Sequence, residues 1–274
     1  MHQALELGIN WIDTAAAYGL GHSEEVVGKA IKGKRQEIFL ATKCGLVWQD
    51  PHSRRVKNNG RPESIMNEIE DSLRRLQTDY IDLYQLHWPD PDTPVERSWE
   101  ALLRLREQGK VKYIGVSNFS VDQLQKCEAL GHINSLQPPY SLIKRNIEKD
   151  ILPWCRENQV GVVVYSPLQA GLLTGKFDKS RLAPDDWRRK NSFFIEPRLS
   201  KNLEFVENLK PIAERYNKTV SQLAIARVLM NPGVTSAIVG ARRPSQIMET
   251  IEGSGWEIDS KDMEHIDELM TDFL

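Results

Sequence analysis

The sequence predicts an α/β fold of the (β/α)8 TIM-barrel class that lacks its first strand, and three observations support this prediction. Short runs rich in Ile, Val, Leu and Tyr alternate with amphipathic helical patterns, which indicates repeated β–α units in a parallel sheet. Several of these runs are almost continuously apolar, as is typical of strands buried on both faces. Residues 1–8 have the pattern of a helix end, so we expect a strand before Met1 that would complete eight. An open doubly wound sheet is the alternative that this strand count disfavours.

The strands are predicted, in chain order, at residues 9–13, 38–43, 80–87, 112–117, 135–137, 160–166 and 236–240. Between them, residues 62–76 repeat apolar side chains at helical spacing, and Ser120 with Gln123 forms a capping-box pattern at the start of another helix. A longer apolar stripe begins at Leu199 and indicates a further helix. The longest irregular stretch, roughly 169–197, follows the strand at 160–166, and loops of that length are usually functional.

Composition and length are those of an ordinary globular protein. The chain has 274 residues, of which 40% are hydrophobic and 27% charged. No linker composition interrupts the β–α repeats, so residues 1–274 are expected to form one barrel domain. A formal net charge of −2 gives no reason to expect nucleic acid as a partner. No apolar run is long enough to span a bilayer, and the first residues do not form a secretion signal.

Three scattered cysteines, Cys44, Cys127 and Cys155, have neither metal-ligand nor redox-motif spacing. No zinc-type or phosphate-loop motif is present, so no metal is expected. The Gly19-Leu20-Gly21 segment fails as a dinucleotide fingerprint, because Glu24 stands where the third glycine is required. These observations favour a cytoplasmic protein without disulfides.

Side chains that can carry charge or protons follow the ends of the first three predicted strands: Asp13, Tyr18, Lys43 and His87. The carboxyl ends of barrel strands surround the site. A phenol ordinarily titrates near pH 10, and a lysine cation about 4 Å away supplies the roughly 4 kcal/mol that proton donation near neutrality requires. Asp13 would keep Lys43 charged, and His87 would orient a carbonyl oxygen. Alternatively, Asp13 and Lys43 form a structural ion pair, and His87 is a hydrogen-bonded core histidine.

The motifs around these residues resemble those of the aldo-keto reductase family. The run DTAAAYGLGHSE at 13–24 is similar to the family signature DTAxxYGxGxSE. Further family motifs are ATK at 41–43, DYIDLYQLHWP at 79–89, IGVSNF at 114–119, and YSPL at 165–168 followed by GLLTGK at 171–176. The runs RLQTDYIDLYQLHWPDP and INSLQPPYSL particularly resemble the bacterial general-stress type, which depends on NADPH. The resemblance covers essentially the whole chain.

The resemblance implies a catalytic tetrad of Asp13, Tyr18, Lys43 and His87. It places Ser117, Asn118 and Gln137 on the nicotinamide carboxamide, and Tyr165 against the nicotinamide ring, where an aromatic face buries a flat ring. It implies that the pyrophosphate side of the cofactor contacts Ser166, Pro167, Leu168, Lys176 and Arg188.

The last predicted strand leads through Gly240 into a helix that opens with Arg242, Arg243 and Pro244. A helix N-terminus attracts anions, and the planar guanidinium of Arg242 suits a 2′-phosphate, so the expected cofactor is NADP(H). In the alternative interpretation, Arg242 and Arg243 are only solvated side chains at the start of a surface helix. By resemblance, Gln246, Glu249 and Thr250 hold the adenosine, although many family members carry asparagine at the last position.

Two tryptophans, Trp48 and Trp88, follow the strand ends of Lys43 and His87 and are expected to line the substrate pocket. Packing residues are the alternative interpretation of both. The resemblance implies an enzyme that reduces aldehydes or ketones to alcohols, with a small carbonyl compound as its partner. The rival hypotheses are a nucleotide-sensing regulatory protein and an inactive fragment. The physiological substrate and the oligomeric state do not follow from the sequence.

Overall fold

A computed structural model of the protein describes residues 1–50 and 55–273. These residues fall into two compact units. The first contains Met1–Pro138 and Lys149–Val163, and the second contains Pro139–Glu148 and the chain from Val164 onward. The organisation of residues 1–274 as a single domain stays a prediction.

The elements of the first unit alternate between strands and helices. In chain order they are α1 His2–Glu6, β1 Trp11–Asp13, α2 His22–Ala30, a 3-10 turn at Arg35–Glu37, β2 Phe39–Cys44, β3 Leu46–Val47, β4 Lys57–Asn58, α3 Pro62–Leu76, β5 Ile81–Leu86, α4 Val95–Glu107, β6 Val111–Ser117, α5 Val121–Glu128, β7 Ser135–Gln137, α6 Ile151–Glu157 and β8 Gly161–Tyr165. The last two residues of β8 belong to the second unit.

A parallel sheet forms the centre of the first unit, in the order β1-β2-β5-β6-β7-β8. Every residue of β5 is buried, including the polar Asp82 and Gln85, as expected of a strand covered on both faces. Because all neighbours are parallel, the carboxyl ends of the strands lie at the same edge. The sheet therefore brings together the residues that end β1, β2, β5, β6 and β7.

Helix α3 illustrates why these segments are helical. Pro62 occupies the first helical turn, where its missing N–H costs nothing. Ile65, Ile69 and Leu76 are fully buried at helical spacing. Helix α5 begins at the predicted capping box: Ser120 Oγ accepts from the Gln123 amide, and Gln123 Oε1 accepts from the Ser120 amide.

The short ribbon formed by β3 and β4 has no counterpart in the sequence prediction. It is antiparallel, with Leu46 opposite Asn58 and Val47 opposite Lys57. Two-residue strands leave no periodic signal, and an isolated ribbon of this size is marginal in water.

The second unit is mostly helical. Its elements are 3-10 turns at Asn146–Glu148, Gln169–Thr174, Lys179–Arg181, Trp187–Lys190 and Ser192–Phe194, then α7 Arg198–Arg215, α8 Val220–Leu229, β9 Ser236–Ile238, α9 Pro244–Ile251 and α10 Ser260–Phe273. Residues Val220 to Val228 of α8 are all buried, so this helix is the centre of the unit's core. Within the described residues, no helix has the length and apolarity needed to cross a membrane.

Candidate functional site

The ends of β1 and β2 meet in a buried ion pair between Asp13 and Lys43. Lys43 Nζ donates to Asp13 Oδ1 at 2.6 Å and to the carbonyl oxygen of Thr14 at 2.9 Å. The lysine is only 1% exposed. A buried ammonium is costly without a counter-charge, and the carboxylate of Asp13 supplies one. The strand ends thus hold a fixed positive charge in a place that water does not reach.

The second carboxylate oxygen of Asp13 is fixed from the far side of the sheet. Gln137 Nε2, at the end of β7, donates to Asp13 Oδ2 at 2.9 Å. Ser117 Oγ, at the end of β6, donates to the backbone oxygen of Gln137 at 2.7 Å. Three strand ends therefore orient one carboxylate.

Tyr18 lies in the loop after β1, with its ring beside the lysine. The ring centroid is 5.1 Å from Lys43 Nζ and 5.6 Å from the centroid of the His87 ring, which it meets edge to face. A hydroxyl–hydroxyl hydrogen bond of 2.8 Å between Thr14 and Ser23 closes this loop at its base. The tyrosine is 43% exposed, so a phenol open to solvent stands in front of a buried cation.

His87 follows β5 and is neutral at physiological pH. Burial and the nearby charge of Lys43 lower the pKa of its imidazole to about 3. Its Nδ1 is buried and has no hydrogen-bond partner among the residues that the structure describes. A neutral imidazole has one N–H donor and one acceptor nitrogen, so the ring can donate to an oxygen without carrying charge.

Asn118 directly follows β6 and contacts His87 and Ser117. Its backbone is left-handed, with φ of 64°, a conformation that asparagine tolerates better than most residues. Its side-chain amide donates to the His87 carbonyl at 3.1 Å and to Ser117 Oγ at 2.9 Å. The three residues predicted for the carboxamide, Ser117, Asn118 and Gln137, therefore adjoin one another and the four predicted catalytic residues.

The two predicted pocket tryptophans lie beside these strand ends. Trp88 directly follows His87 and is 44% exposed. Trp48 follows β3, is half-buried, and has the guanidinium of Arg75 5.9 Å from its ring. Their role in a substrate pocket stays a prediction.

The second unit holds the residues predicted for the rest of the cofactor. Tyr165 ends β8, and its carbonyl accepts from the Tyr140 amide at 3.1 Å. Ser166 follows in a left-handed conformation, with φ of 58°. Leu168 packs at the edge of the unit's core, and Pro167 precedes it in the chain.

Two of the cations predicted to bind phosphate, Arg188 and Lys176, lie close to carboxylates of the second unit. Arg188 pairs with Asp186 at 2.7 Å and donates to the carbonyl of Ala170 at 3.1 Å. Lys176 Nζ lies 3.4 Å from a carboxylate oxygen of Glu249, and the lysine side chain is largely exposed.

The start of α9 carries the residues predicted to bind the adenosine phosphate, and its role as an anion site stays a prediction. The backbone amides of Arg242 and Arg243 donate to Gln246 Oε1 at 2.8 and 3.1 Å, so the glutamine caps the helix. Gly240 and both arginines are exposed, and neither guanidinium forms an ion pair with any residue in 1–50 or 55–273. Thr250 Oγ1 donates to the Gln246 carbonyl at 2.8 Å, one turn further along.

A buried polar cluster behind β2 escaped the sequence prediction. Thr42 Oγ1 donates to Glu24 Oε1 at 2.6 Å, and Arg75 Nε donates to Glu24 Oε2 at 2.7 Å. Glu68 contacts the turn after β2. Glu24, Glu68 and Arg75 lie on helices whose polar positions look like a solvated face, so periodicity alone does not reveal their contacts behind β2. No group of three or more potential metal ligands occurs among the described residues.

Known proteins resemble the chain over nearly its whole length. The model of the Aldo/keto reductase family matches residues 1–271. Aldo-keto reductase YhdN of Bacillus subtilis (strain 168) is 44% identical over 271 residues, which are 97% of this chain and 81% of that protein. The NADH-specific methylglyoxal reductase of Escherichia coli (strain K12) is 36% identical, over 91% of this chain and 79% of its own length.

A solved structure shows the same likeness. The glycerol dehydrogenase AKR11B4 from Gluconobacter oxydans superposes with a TM-score of 0.94 at 39% identity, over 100% of this chain and 84% of that one. The TIM-barrel fold class predicted from the sequence is thereby confirmed.

Proposed function

The chain belongs to the aldo/keto reductase family of oxidoreductases, and from that premise we propose that it reduces aldehydes or ketones with NADP(H), using Tyr18 as the proton donor. One observation carries this proposal: the buried Lys43–Asp13 pair, with the Tyr18 ring 5.1 Å from the ammonium and the neutral His87 beside it. A purely structural ion pair requires neither an exposed phenol nor an uncharged imidazole.

Each side chain has a distinct role in the proposed reaction. The bound cofactor supplies the hydrogen and the two electrons that the carbonyl carbon gains. Tyr18 gives its hydroxyl proton to the carbonyl oxygen, so that an alcohol forms, and water replaces that proton at this exposed residue. The ammonium of Lys43 stabilises the phenolate that remains, and Asp13 holds the ammonium in place. His87 donates a hydrogen bond to the carbonyl oxygen and orients it.

The nicotinamide fits the polar side chains of the first unit. A carboxamide is recognised by hydrogen-bond donors and acceptors, and the side-chain amides of Asn118 and Gln137 carry both, while their bonds to Ser117 and Asp13 fix their orientation. These residues would hold the ring close to Asp13 and Lys43. The residues predicted for the pyrophosphate and the adenosine belong to the second unit.

The choice of NADP(H) rests on the exposed Arg242 and Arg243 at the start of α9. Two guanidinium groups without an ion pair in the described part of the chain, beside a helix N-terminus, suit the dianionic 2′-phosphate that NADH lacks. The name of the Escherichia coli relative shows that NADH specificity also occurs among similar proteins.

Turnover by a Tyr18→Phe variant tests the proton-donor role. We expect the wild-type chain to oxidise NADPH in the presence of an aldehyde such as 4-nitrobenzaldehyde, and Tyr18→Phe to lose about 10²–10⁴-fold in kcat. Tyr113→Phe is the matched control, because Tyr113 is similarly exposed on β6 but lies outside the site. Equal kcat for Tyr18→Phe and wild type would overturn the assignment. Tight NADPH binding without turnover would identify a nucleotide sensor instead.

Cofactor binding by an Arg242→Ala variant tests the preference for NADP(H). A lost charge-assisted contact predicts about tenfold weaker NADPH binding, and NADH binding should not change. Fluorescence titration with both cofactors measures this difference. If Arg242→Ala weakens the two equally, Arg242 does not recognise the 2′-phosphate.

A further inference from the structure

The carboxylate of Glu68 on α3 holds the turn that follows β2. Its Oε2 accepts from the backbone amide of Gly45 at 2.9 Å, and its Oε1 accepts from Ser64 Oγ at 2.9 Å. Gly45 stands two residues after Lys43. A hydrogen bond from a helix side chain to a loop amide ties that loop to a rigid element.

The turn at Gly45 directs the chain from β2 into the β3–β4 ribbon. Gly45 has φ of +85°, a conformation that favours glycine. Its carbonyl accepts from the amide of Asn59 at 3.0 Å, which closes the base of the ribbon. The direction in which the ribbon leaves the sheet is therefore set at this residue, and Glu68 fixes its amide.

The ribbon follows one candidate site residue, Lys43, in the chain and is hydrogen-bonded close to another, His87. Trp48 directly follows β3, and Asn58 Nδ2 donates to the carbonyl of Pro89 at 2.9 Å, two residues beyond His87. Two residue pairs cannot keep a ribbon in one position by themselves. Contacts at its base and edge must do so, and the side chain of Glu68 makes one of them at the base.

We propose that Glu68 is a positioning residue for carbonyl reduction, which fixes the Gly45 turn and thereby the ribbon that carries Trp48 beside the substrate. This inference rests on the proposed function of the site. Because Glu68 does not touch the reacting atoms, its loss weakens substrate binding more than it slows the chemical step.

The surroundings of Glu68 make this contact sensitive to pH. Burial raises the pKa of Glu68 to about 7; Glu24 on α2 adds to that rise, whereas the Gly45 amide, Ser64 and Arg75 oppose it. The other titratable groups facing it are Cys44 on β2 and Tyr84 on β5, and burial raises the pKa of both well above the ordinary values. Glu68 therefore changes charge between about pH 6 and 8, whereas the thiol of Cys44 and the phenol of Tyr84 stay neutral over that range.

Ionisation strengthens the contact as pH rises. A carboxylate accepts the Gly45 amide proton more strongly than a neutral carboxyl does. The ribbon is therefore held most firmly above about pH 7, and KM for the carbonyl substrate falls as pH rises through this range. A glutamine at position 68 is uncharged at every pH and therefore resembles Glu68 in its protonated form.

Three variants test the proposal by steady-state kinetics with 4-nitrobenzaldehyde and NADPH. Glu68→Met removes the acceptor at similar volume, and we expect KM to rise about tenfold while kcat stays within about twofold. Glu68→Gln should have the same KM at about pH 6 and 8, equal to the wild-type value at the lower pH. Glu63→Met, an exposed glutamate in the first turn of the same helix, should match wild type. Equal KM in Glu68→Met and wild type would overturn the proposal.

Hydrogen exchange of the peptide that contains Gly45 provides a readout without cofactor or substrate. We expect faster exchange of this peptide in Glu68→Met than in Glu63→Met, because only the first substitution frees the Gly45 amide. Unchanged exchange contradicts the tether even if the wild type proves inactive. Absence of carbonyl reduction by the wild type, with faster exchange in Glu68→Met, would overturn the proposed function and with it the effect on KM, while the tether itself would stand.

Discussion

Lys43 is the residue on which the candidate site depends most. Its ammonium is removed from water, and its two hydrogen bonds, to Asp13 and to the Thr14 carbonyl, replace the lost hydration. Asp13 in turn is satisfied by Lys43 and Gln137. A charge that is already desolvated and fixed acts on its neighbours without solvent having to reorganise first.

Replacing Lys43 by methionine is expected to destabilise the protein as well as abolish turnover. The substitution leaves the buried Asp13 carboxylate with the Gln137 amide but without its counter-charge, a loss of about 3–5 kcal/mol for a broken buried pair. Urea unfolding measures this change. The double variant Asp13→Asn/Lys43→Met removes both charges and should recover most of the stability but none of the turnover. If the double variant is no more stable than Lys43→Met, the pair is not coupled.

Because of His87, the free energy of unfolding is expected to fall in acid. Its folded-state pKa of about 3 lies below the ordinary value of 6.5, so the unfolded chain binds a proton that the folded chain excludes. The resulting stability is fully present above about pH 6.5 and is lost as pH falls toward 3. Between about pH 6.5 and 4 we expect His87 to account for a loss of roughly 3 kcal/mol.

A His87→Gln variant isolates this contribution, because glutamine keeps a donor and does not titrate. Its unfolding free energy should depend less on pH over that interval than the wild-type value does, whereas the two profiles run parallel above about pH 7. Parallel profiles in the acid range would mean that the imidazole is protonated in the folded protein. Chemical denaturation at a series of pH values provides the comparison.

Among single residues, the sequence singled out candidates at the strand ends but not the polar side chains behind β2. Asp13, Lys43 and His87 were identifiable because a chemically active side chain at the end of an apolar run is conspicuous. Glu68 was not, because one glutamate on an amphipathic helix resembles any solvated glutamate. Its contact is with a backbone amide that neither composition nor spacing identifies.

Helices α2 and α3 approach each other closely because of Gly28. A methyl group built at this position would lie 2.6 Å from the carbonyl oxygen of Arg75 and 2.8 Å from the backbone of Leu76. Close approach also brings Glu24 of α2 to Arg75 of α3 in their 2.7 Å ion pair. The spacing of the two helices thus positions a polar cluster directly behind the strand that carries Lys43.

Gly28→Ala should therefore destabilise the protein, although alanine ordinarily favours a helix over glycine by about 1 kcal/mol. Contact with backbone atoms that cannot move aside costs about 1–3 kcal/mol through overpacking. Gly131→Ala is the control, because its new methyl group would meet only the end of the Leu103 side chain. Thermal unfolding should show a lower midpoint for Gly28→Ala alone, and an unchanged or raised midpoint would contradict the close packing.

Among the elements, those with a strong repeat were predicted and those without one were not. The strand predicted at 135–137 and the helix predicted at 62–76 have the observed bounds, and the other predicted strands are each observed within about two residues. The β3–β4 ribbon was missed because two-residue strands have no period. The stretch 169–197, predicted as irregular, contains four short 3-10 segments whose bonds are too local for periodicity to reveal.

At the scale of the whole chain, the organisation of residues 1–274 as one domain leads to a measurable expectation. A single domain unfolds in one cooperative transition, so loss of helical circular dichroism, tryptophan fluorescence and NADPH binding should share one midpoint in urea. Both described units contain tryptophans, for example Trp99 and Trp256, which report on them separately. Two separated midpoints would mean that the units behave as distinct domains.

The hydrogen bond between Asp13 and Gln137 has a consequence for how the protein is made. It joins residues 124 positions apart, so the carboxylate that holds Lys43 is oriented only after most of the first unit has been synthesised. Contacts of such long range form slowly, because a large loop must close before they stabilise anything. On the ribosome, β1 can pair with β2 early, but the contact of Asp13 with Gln137 must wait until β7 has emerged. Catalytic competence is thus among the last properties that the first unit acquires as it folds.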